Sequence, residues 1–142
     1  MPDITEEILL KKFQLRNIKP TAMRILVLKA LMQQDHAVSL HDMELLFDRA
    51  DRSTLFRTLK TFEDHHLIHR IEDGTGSVKY ALCSDNCDCG PESFHIHFHC
   101  RKCGNTYCMP TDNAIQKVNF FPHFKTEQVN IILKGICDKC SG

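Results

Sequence analysis

Along the first half of the chain apolar residues recur at helical spacing, and the pattern then changes to alternation. Ile8, Leu9 and Phe13 share one helical face behind Thr5, a residue suited to an N-cap. Pro20 and Thr21 open a second helix, with Met23, Leu26, Val27, Ala30 and Leu31 at intervals of three and four. Ser39 starts a third helix carrying Leu40, Met43, Leu46 and Phe47. Ser53 or Asp51 starts a fourth, with Leu55, Phe56, Leu59 and Phe62 inward. The short Arg49-Ala50-Asp51-Arg52 connection between these two has the spacing of a helix-turn-helix.

Leu67–Ile71 and Ser77–Leu82 then alternate on either side of an Asp-Gly turn, which predicts a β-hairpin. Helices running straight into a hairpin make a winged helix; the plainer alternative is a small helical domain with an incidental hairpin. In the second half, His95-Ile96-His97-Phe98-His99 places histidines on one face of a strand and Ile and Phe on the other. A helix is expected near Asp112–Phe121 and a closing strand over Glu127–Leu133. The fold class is therefore α+β, an N-terminal winged helix-turn-helix followed by a small C-terminal α/β domain. The boundaries expected are 1–82 for the first domain, 83–93 for a hinge or loop, and 94–142 for the second. The second has few large core residues, so metal or dimerisation should supply what its core lacks.

Composition changes this picture in one respect. Eight Cys and nine His are many for 142 residues, and every Cys lies at or after Cys83. No apolar run approaches the ~18 residues that cross a bilayer, and the acidic N-terminus lacks the features of a signal peptide. A cytoplasmic location follows as the expectation. Thiols stay reduced there, which favours metal ligands over disulfides. The formal net charge is zero, so any nucleic-acid surface must be positive locally.

Cys100-Arg101-Lys102-Cys103-Gly104 and Cys137-Asp138-Lys139-Cys140 form two CxxC knuckles. Four thiolates suit a closed tetrahedral Zn²⁺ site with no position open for catalysis. Unligated cysteines or a redox pair are the alternative. A second set, His69, Cys83, His95 and His97, draws on both sides of the junction, and its imidazoles and thiolate favour Zn²⁺ over harder metals. The competing reading is that these histidines are polar surface residues. Cys87, Cys89 and Cys108 remain as possible auxiliary ligands or oxidisable thiols. The fourth helix presents Arg52, Arg57 and Lys60 with Ser53 and Thr54, groups suited to guanine edges and phosphates.

The chain resembles the ferric uptake regulator family over nearly its whole length. Four segments carry the likeness: Lys19-Pro20-Thr21-Ala22-Met23-Arg24, Ser53-Thr54-Leu55-Phe56-Arg57-Thr58-Leu59, His95 through Gly104, and Cys137-Asp138-Lys139-Cys140. The resemblance implies a homodimer that binds inverted-repeat operator DNA when its metal is bound, with no membrane and no small-molecule substrate. It places Lys19 near the minor groove and Arg57 in the recognition helix, with Phe56 where the family usually has Tyr. Cys83 matches a ligand position of the zinc-uptake branch, and His69 falls where that branch has Asp or His. Cys108 occupies a position often held by a ligand Glu. Phe94, Ile96 and Val129 stand where some members build an extra site, so two metal sites per chain are expected, one structural and one sensory. Together these features imply a zinc-sensing repressor. An iron-sensing regulator and a peroxide- or thiol-redox-sensing one are the alternatives within the family. A zinc hydrolase is the rival from another class, but no HExxH-like carboxylate accompanies the histidines, and the chain is read as no enzyme.

Overall fold

The computed structural model describes residues 3–83, 96–109, 121–125 and 131–141. Helices α1 (Glu6–Leu15) and α2 (Ala22–Gln33) are capped by Thr5 and Thr21, whose hydroxyls accept from the backbone three residues on. A two-residue strand β1 (Val38–Ser39) leads into α3 (Leu40–Leu46). Ser39 closes a capping box there: its side chain accepts from the Asp42 N–H, and the Asp42 carboxylate accepts from the Ser39 N–H. Helix α4 (Arg52–Asp64) follows after a short connection. The hairpin β2 (Ile68–Glu72) and β3 (Val78–Leu82) pairs in antiparallel register, Ile68 opposite Leu82 and Glu72 opposite Val78. β1 adds to the free edge of β3, giving a sheet ordered β1-β3-β2. Four helices and this sheet make the winged helix-turn-helix.

Its core holds Phe13, Val27, Leu28, Met43, Leu55, Leu59, Phe62 and Ile68. Phe13 and Phe62 meet with ring centroids 5.7 Å apart, joining the first helix to the fourth. The helical phase differs from expectation at four places, the first being Ile8, which is exposed on α1 while Leu9 and Phe13 are buried. Leu26 is half exposed and Leu28 is buried in its stead, because α2 is covered on more than one side and a single apolar stripe does not describe it. Leu46 ends α3 outside the core, and Phe56 lies on the exposed side of α4.

The second sheet is ordered β5-β4-β6, with β4 (Ile96–Cys100) at its centre. β5 (Thr106–Met109) runs antiparallel to β4, setting His97 opposite Cys108 and His99 opposite Thr106. β6 (Ile131–Gly135) runs parallel to β4 on the other side. The closing strand therefore extends two residues further than the apolar pattern suggests, to Gly135. A single turn, α5 (Asp138–Ser141), carries the last cysteine. The expected helix near Asp112–Phe121 and the start of the strand expected from Glu127 lie outside the described residues. No helix among the described residues is long and apolar enough to cross a membrane.

Phe62 ties α4 to the rest of the winged helix. Phe62→Ala is expected to destabilise the chain by about 3–5 kcal/mol, read as a lowered midpoint in urea unfolding with an unchanged slope.

Candidate metal centres and nucleic-acid face

The first centre is built at one end of the second sheet. Cys100 is the last residue of β4 and fully buried. The chain then turns back through Gly104, whose N–H donates to the Cys100 carbonyl and whose φ of 80° favours glycine. Arg101 N–H donates to the Gly135 carbonyl at 2.8 Å, which brings the end of β6 and the second knuckle alongside the first. The sulfurs of Cys100, Cys103, Cys137 and Cys140 all lie within 4.8 Å of one another, a set that could hold a metal ion.

Cys103 and Cys137 Sγ are 3.8 Å apart, the edge of a tetrahedron with metal–sulfur bonds of about 2.3 Å, as for Zn²⁺. Backbone N–H groups of Cys103 and Cys137 point at Cys100 Sγ, at 3.5 and 3.4 Å. They hold the Cys100 thiol down to about 6, favouring the thiolate that binds metal. Cys140 is pushed up to about 12, chiefly by its hydrogen bond with the Cys137 thiol. Cys100 is thus ready to bind as the thiolate, and an ion would supply the field that ionises Cys140.

The second centre lies where the wing meets β4 and β5. His69 Nε2 is 3.1 Å from His97 Nε2, and their rings stand 5.2 Å apart. Cys108, opposite His97 in the sheet, completes a cluster whose donor atoms lie within 4.8 Å of one another. Two imidazoles and a thiol, borderline to soft donors, fit Zn²⁺ better than a hard cation.

Cys83 is buried with its Sγ 3.2 Å from His69 Nδ1, the ring nitrogen facing away from His97. It is disulfide-bonded, whereas Cys100, Cys103, Cys108, Cys137 and Cys140 are in no disulfide. The expectation of ligands in place of disulfides is corrected at this position, since a sulfur held in a disulfide is no thiolate. His95, Cys87 and Cys89 lie outside the described residues. The structure thus brings His69 and His97 together with Cys108, the residue held only as an auxiliary, and leaves Cys83 on the far side of the His69 ring.

Beside this cluster lies a network that the sequence pattern did not signal. Asp73, one residue beyond β2, is fully buried. Its carboxylate accepts from Lys79 Nζ at 2.7 Å, from the Thr106 hydroxyl at 2.7 Å, and from the backbone and hydroxyl of Thr75. His99 Nδ1 lies 2.9 Å from the Thr106 hydroxyl and 3.5 Å from Asp73. Burial alone would raise the Asp73 pKa, but the hydrogen bonds from Lys79, Thr106 and Thr75 prevail and hold it well below the carboxylate range.

On α4, Arg52, Ser53, Phe56, Arg57 and Lys60 are exposed on one face, with Thr54 at its margin. Arg52 pairs with Glu44 of α3, and Lys60 with Asp64. Arg57 Nε donates to the Ser53 carbonyl, which lays its guanidinium along the helix. Lys19 is exposed ahead of α2, and its carbonyl accepts from Arg24.

The model of the ferric uptake regulator family matches residues 16–134. Comparison with curated proteins found no match. Among solved structures, a zinc uptake regulator complexed with zinc and DNA aligns with a TM-score of 0.69 at 22% identity, covering 98% of this chain and 96% of that one. The Pseudomonas aeruginosa ferric uptake regulator with manganese gives 0.62 at 19% identity, covering 92% of this chain and 98% of that one. The Vibrio cholerae ferric uptake regulator gives 0.59 at 17%, covering 89% and 98%. At these identities the likeness is one of fold.

Two outcomes follow from the geometry. Cys137→Ser should lose one bound metal ion per chain and the folded second sheet with it. A structural zinc contributes ~10–16 kcal/mol in small peptides, more than a domain's usual stability; metal analysis and circular dichroism read the loss. Asp73 should make the chain acid-sensitive. A carboxylate with a depressed folded pKa adds stability that is complete above its unfolded value near ~3.9 and lost as pH falls below it. The difference in melting temperature between wild type and Asp73→Asn should therefore be largest near neutrality and shrink in acid.

Proposed function

The chain belongs to the ferric uptake regulator family, and from that premise we propose that it is a zinc-sensing transcriptional repressor. It binds double-stranded operator DNA as a homodimer when an ion occupies the second centre. Residues 1–82 act as the DNA-binding domain, 83–93 as the hinge, and 94–142 as the metal-binding dimerisation domain of a cytoplasmic regulator. Cys100, Cys103, Cys137 and Cys140 hold a structural Zn²⁺. Four thiolates around one ion leave no open position, so this centre serves stability and not catalysis.

The observation that carries the reading is the composition and place of the second centre. His69 comes from the wing, His97 and Cys108 from the second sheet, and all three converge. An ion bound there favours one placement of the wing over others. Zinc can activate only through such a differential affinity. A donor set of two imidazoles and a sulfur, without a carboxylate among the described members, supports zinc over iron or manganese. His95, two residues before His97, stays a proposed further ligand, since alternate strand residues share a face. On α4, Arg57 is proposed to read a base, with Arg52, Ser53, Thr54, Phe56, Lys60 and Lys19 positioning the helix on DNA.

A second reading, a thiol-redox response, is favoured by one observation: the disulfide at Cys83 lies against His69. Reduction of that disulfide by a dithiol would free a thiolate next to the imidazole. Zinc sensing would then be confined to the reduced chain.

The test is to select duplexes from a random pool with zinc-loaded protein, then titrate the selected operator across buffered free Zn²⁺, Fe²⁺ and Mn²⁺. Zinc should activate at the lowest free concentration, and Cys108→Ser should abolish activation while keeping the four-cysteine ion. Activation by iron or manganese alone would overturn zinc sensing; failure to select any duplex would overturn DNA binding. Cys83→Ser separates the two readings, because it should keep the zinc response and lose its dependence on a reducing agent only if the disulfide is a switch. In the same assay Arg57→Ala should cost about 1–3 kcal/mol on the selected operator and little on random DNA, the mark of a base contact.

A further inference from the structure

The two clusters at the wing junction are successive rungs of one strand pair. His97 opposite Cys108 is the metal rung, and His99 opposite Thr106, two residues along, is the other. Rungs two residues apart on one strand are separated by about 7 Å and face the same way. The wing answers both from one face: His69, Ile71 and Asp73 alternate along and just beyond β2. Ile71, between the two polar residues in this alternation, is fully buried.

The second rung is closed by protein groups alone. Asp73 bridges to Thr106, Lys79 of β3 donates to the Thr106 hydroxyl at 3.2 Å and to the Gly104 carbonyl at 3.3 Å, and His99 flanks Thr106. Two neighbouring contacts fix its register. Ala37 N–H donates to the Thr106 carbonyl at 2.7 Å, and Lys134 of β6 lies over the wing tip, its Nζ 3.0 Å from where a Cβ on Gly74 would sit.

We propose that the Asp73–Lys79–Thr106 cluster, flanked by His99, is a metal-independent latch between the wing and the second sheet. It positions His69 against His97 and Cys108, and so sets the free zinc concentration at which the chain responds. This rests on the second centre being the sensory one. The physical basis is that a site assembled from two bodies binds its ion with an affinity reduced by the fraction of time those bodies are apart. A latch adjacent to the metal rung lowers that fraction in the free chain. Asp73 and Thr106 are positioning residues: neither is among the ligand atoms of the cluster.

The experiment compares wild type, Asp73→Asn, Thr106→Val and the double variant, each with its four-cysteine zinc in place. Free zinc at half-maximal binding to the selected operator is read together with zinc affinity at the second centre by chelator competition. Each single variant should raise the free-zinc midpoint and lower the zinc affinity of the second centre, both by about tenfold, a common size for coupling between sites. Operator affinity at saturating zinc should be unchanged. The double variant should be no worse than the more affected single one, because both remove the same latch across the junction.

Shifts that multiply in the double variant, or unchanged zinc midpoints with only a lower melting temperature, would overturn the latch. Operator affinity lowered equally at all zinc concentrations would also overturn it. If Asp73→Asn does not fold, Thr106→Val carries the same reading from the other side of the junction. A wild type that binds operator without regard to zinc would instead overturn the sensory reading, which keeps the two failures apart.

Discussion

The antiparallel pairing of β4 with β5 is the constraint on which the rest of the molecule depends. It sets His97 opposite Cys108 and His99 opposite Thr106, and through these two rungs the second sheet meets the wing. The same strand β4 ends in Cys100, buried in the four-sulfur cluster. One five-residue strand therefore belongs to both metal centres and to the Asp73 network. Anything that holds its far end in place also holds the register at the junction. This gives the four-cysteine ion a role beyond the tail it clips: it anchors the strand against which the wing is measured.

The two rungs differ in what closes them. The Asp73 rung carries its own countercharge in Lys79 and is satisfied by hydroxyls and backbone carbonyls, so it requires nothing from outside. The metal rung is two imidazoles and a thiol facing one another, a donor set suited to a cation such as Zn²⁺. A buried ion pair adds little net stability over an apolar contact of similar volume, although removing one partner is costly. Such a pair serves register better than it serves stability. On this account the protein closes one rung by itself and leaves its neighbour for an ion to close, which makes placement of the wing responsive instead of fixed.

Much of this was legible from residue pattern, for physical reasons. Thr5, Thr21 and Ser39 mark helix starts because short hydroxyl side chains reach the orphan N–H groups of a first turn. The paired knuckles announce four converging sulfurs because two intervening residues bring both thiols of each to one side. A single apolar stripe misplaces Leu26 and Leu28 because α2 is packed on several faces. Cys108 is an isolated cysteine on a strand, and only the register opposite His97 gives it a partner. Asp73 was hidden for a different reason. An Asp before Gly is ordinary turn chemistry, so nothing local distinguishes a solvated turn carboxylate from one buried by a sheet more than thirty residues away. The disulfide at Cys83 was contrary to expectation, since a reducing compartment argues from surroundings and not from geometry.

The central claim is that an ion shared by His69, His97 and Cys108 fixes the wing against the second sheet. The most direct measurement is the distance distribution between two spin labels, one at Ser77 on the wing and one at Lys102 beside β4, both exposed positions. The labels are attached through non-cysteine chemistry, and labelled chains are diluted with unlabelled ones to isolate distances within a chain. Zinc added to protein that retains its four-cysteine ion should narrow a broad distribution to a single distance, and Cys108→Ser should leave it broad. Identical distributions with and without zinc in the wild type would contradict the account.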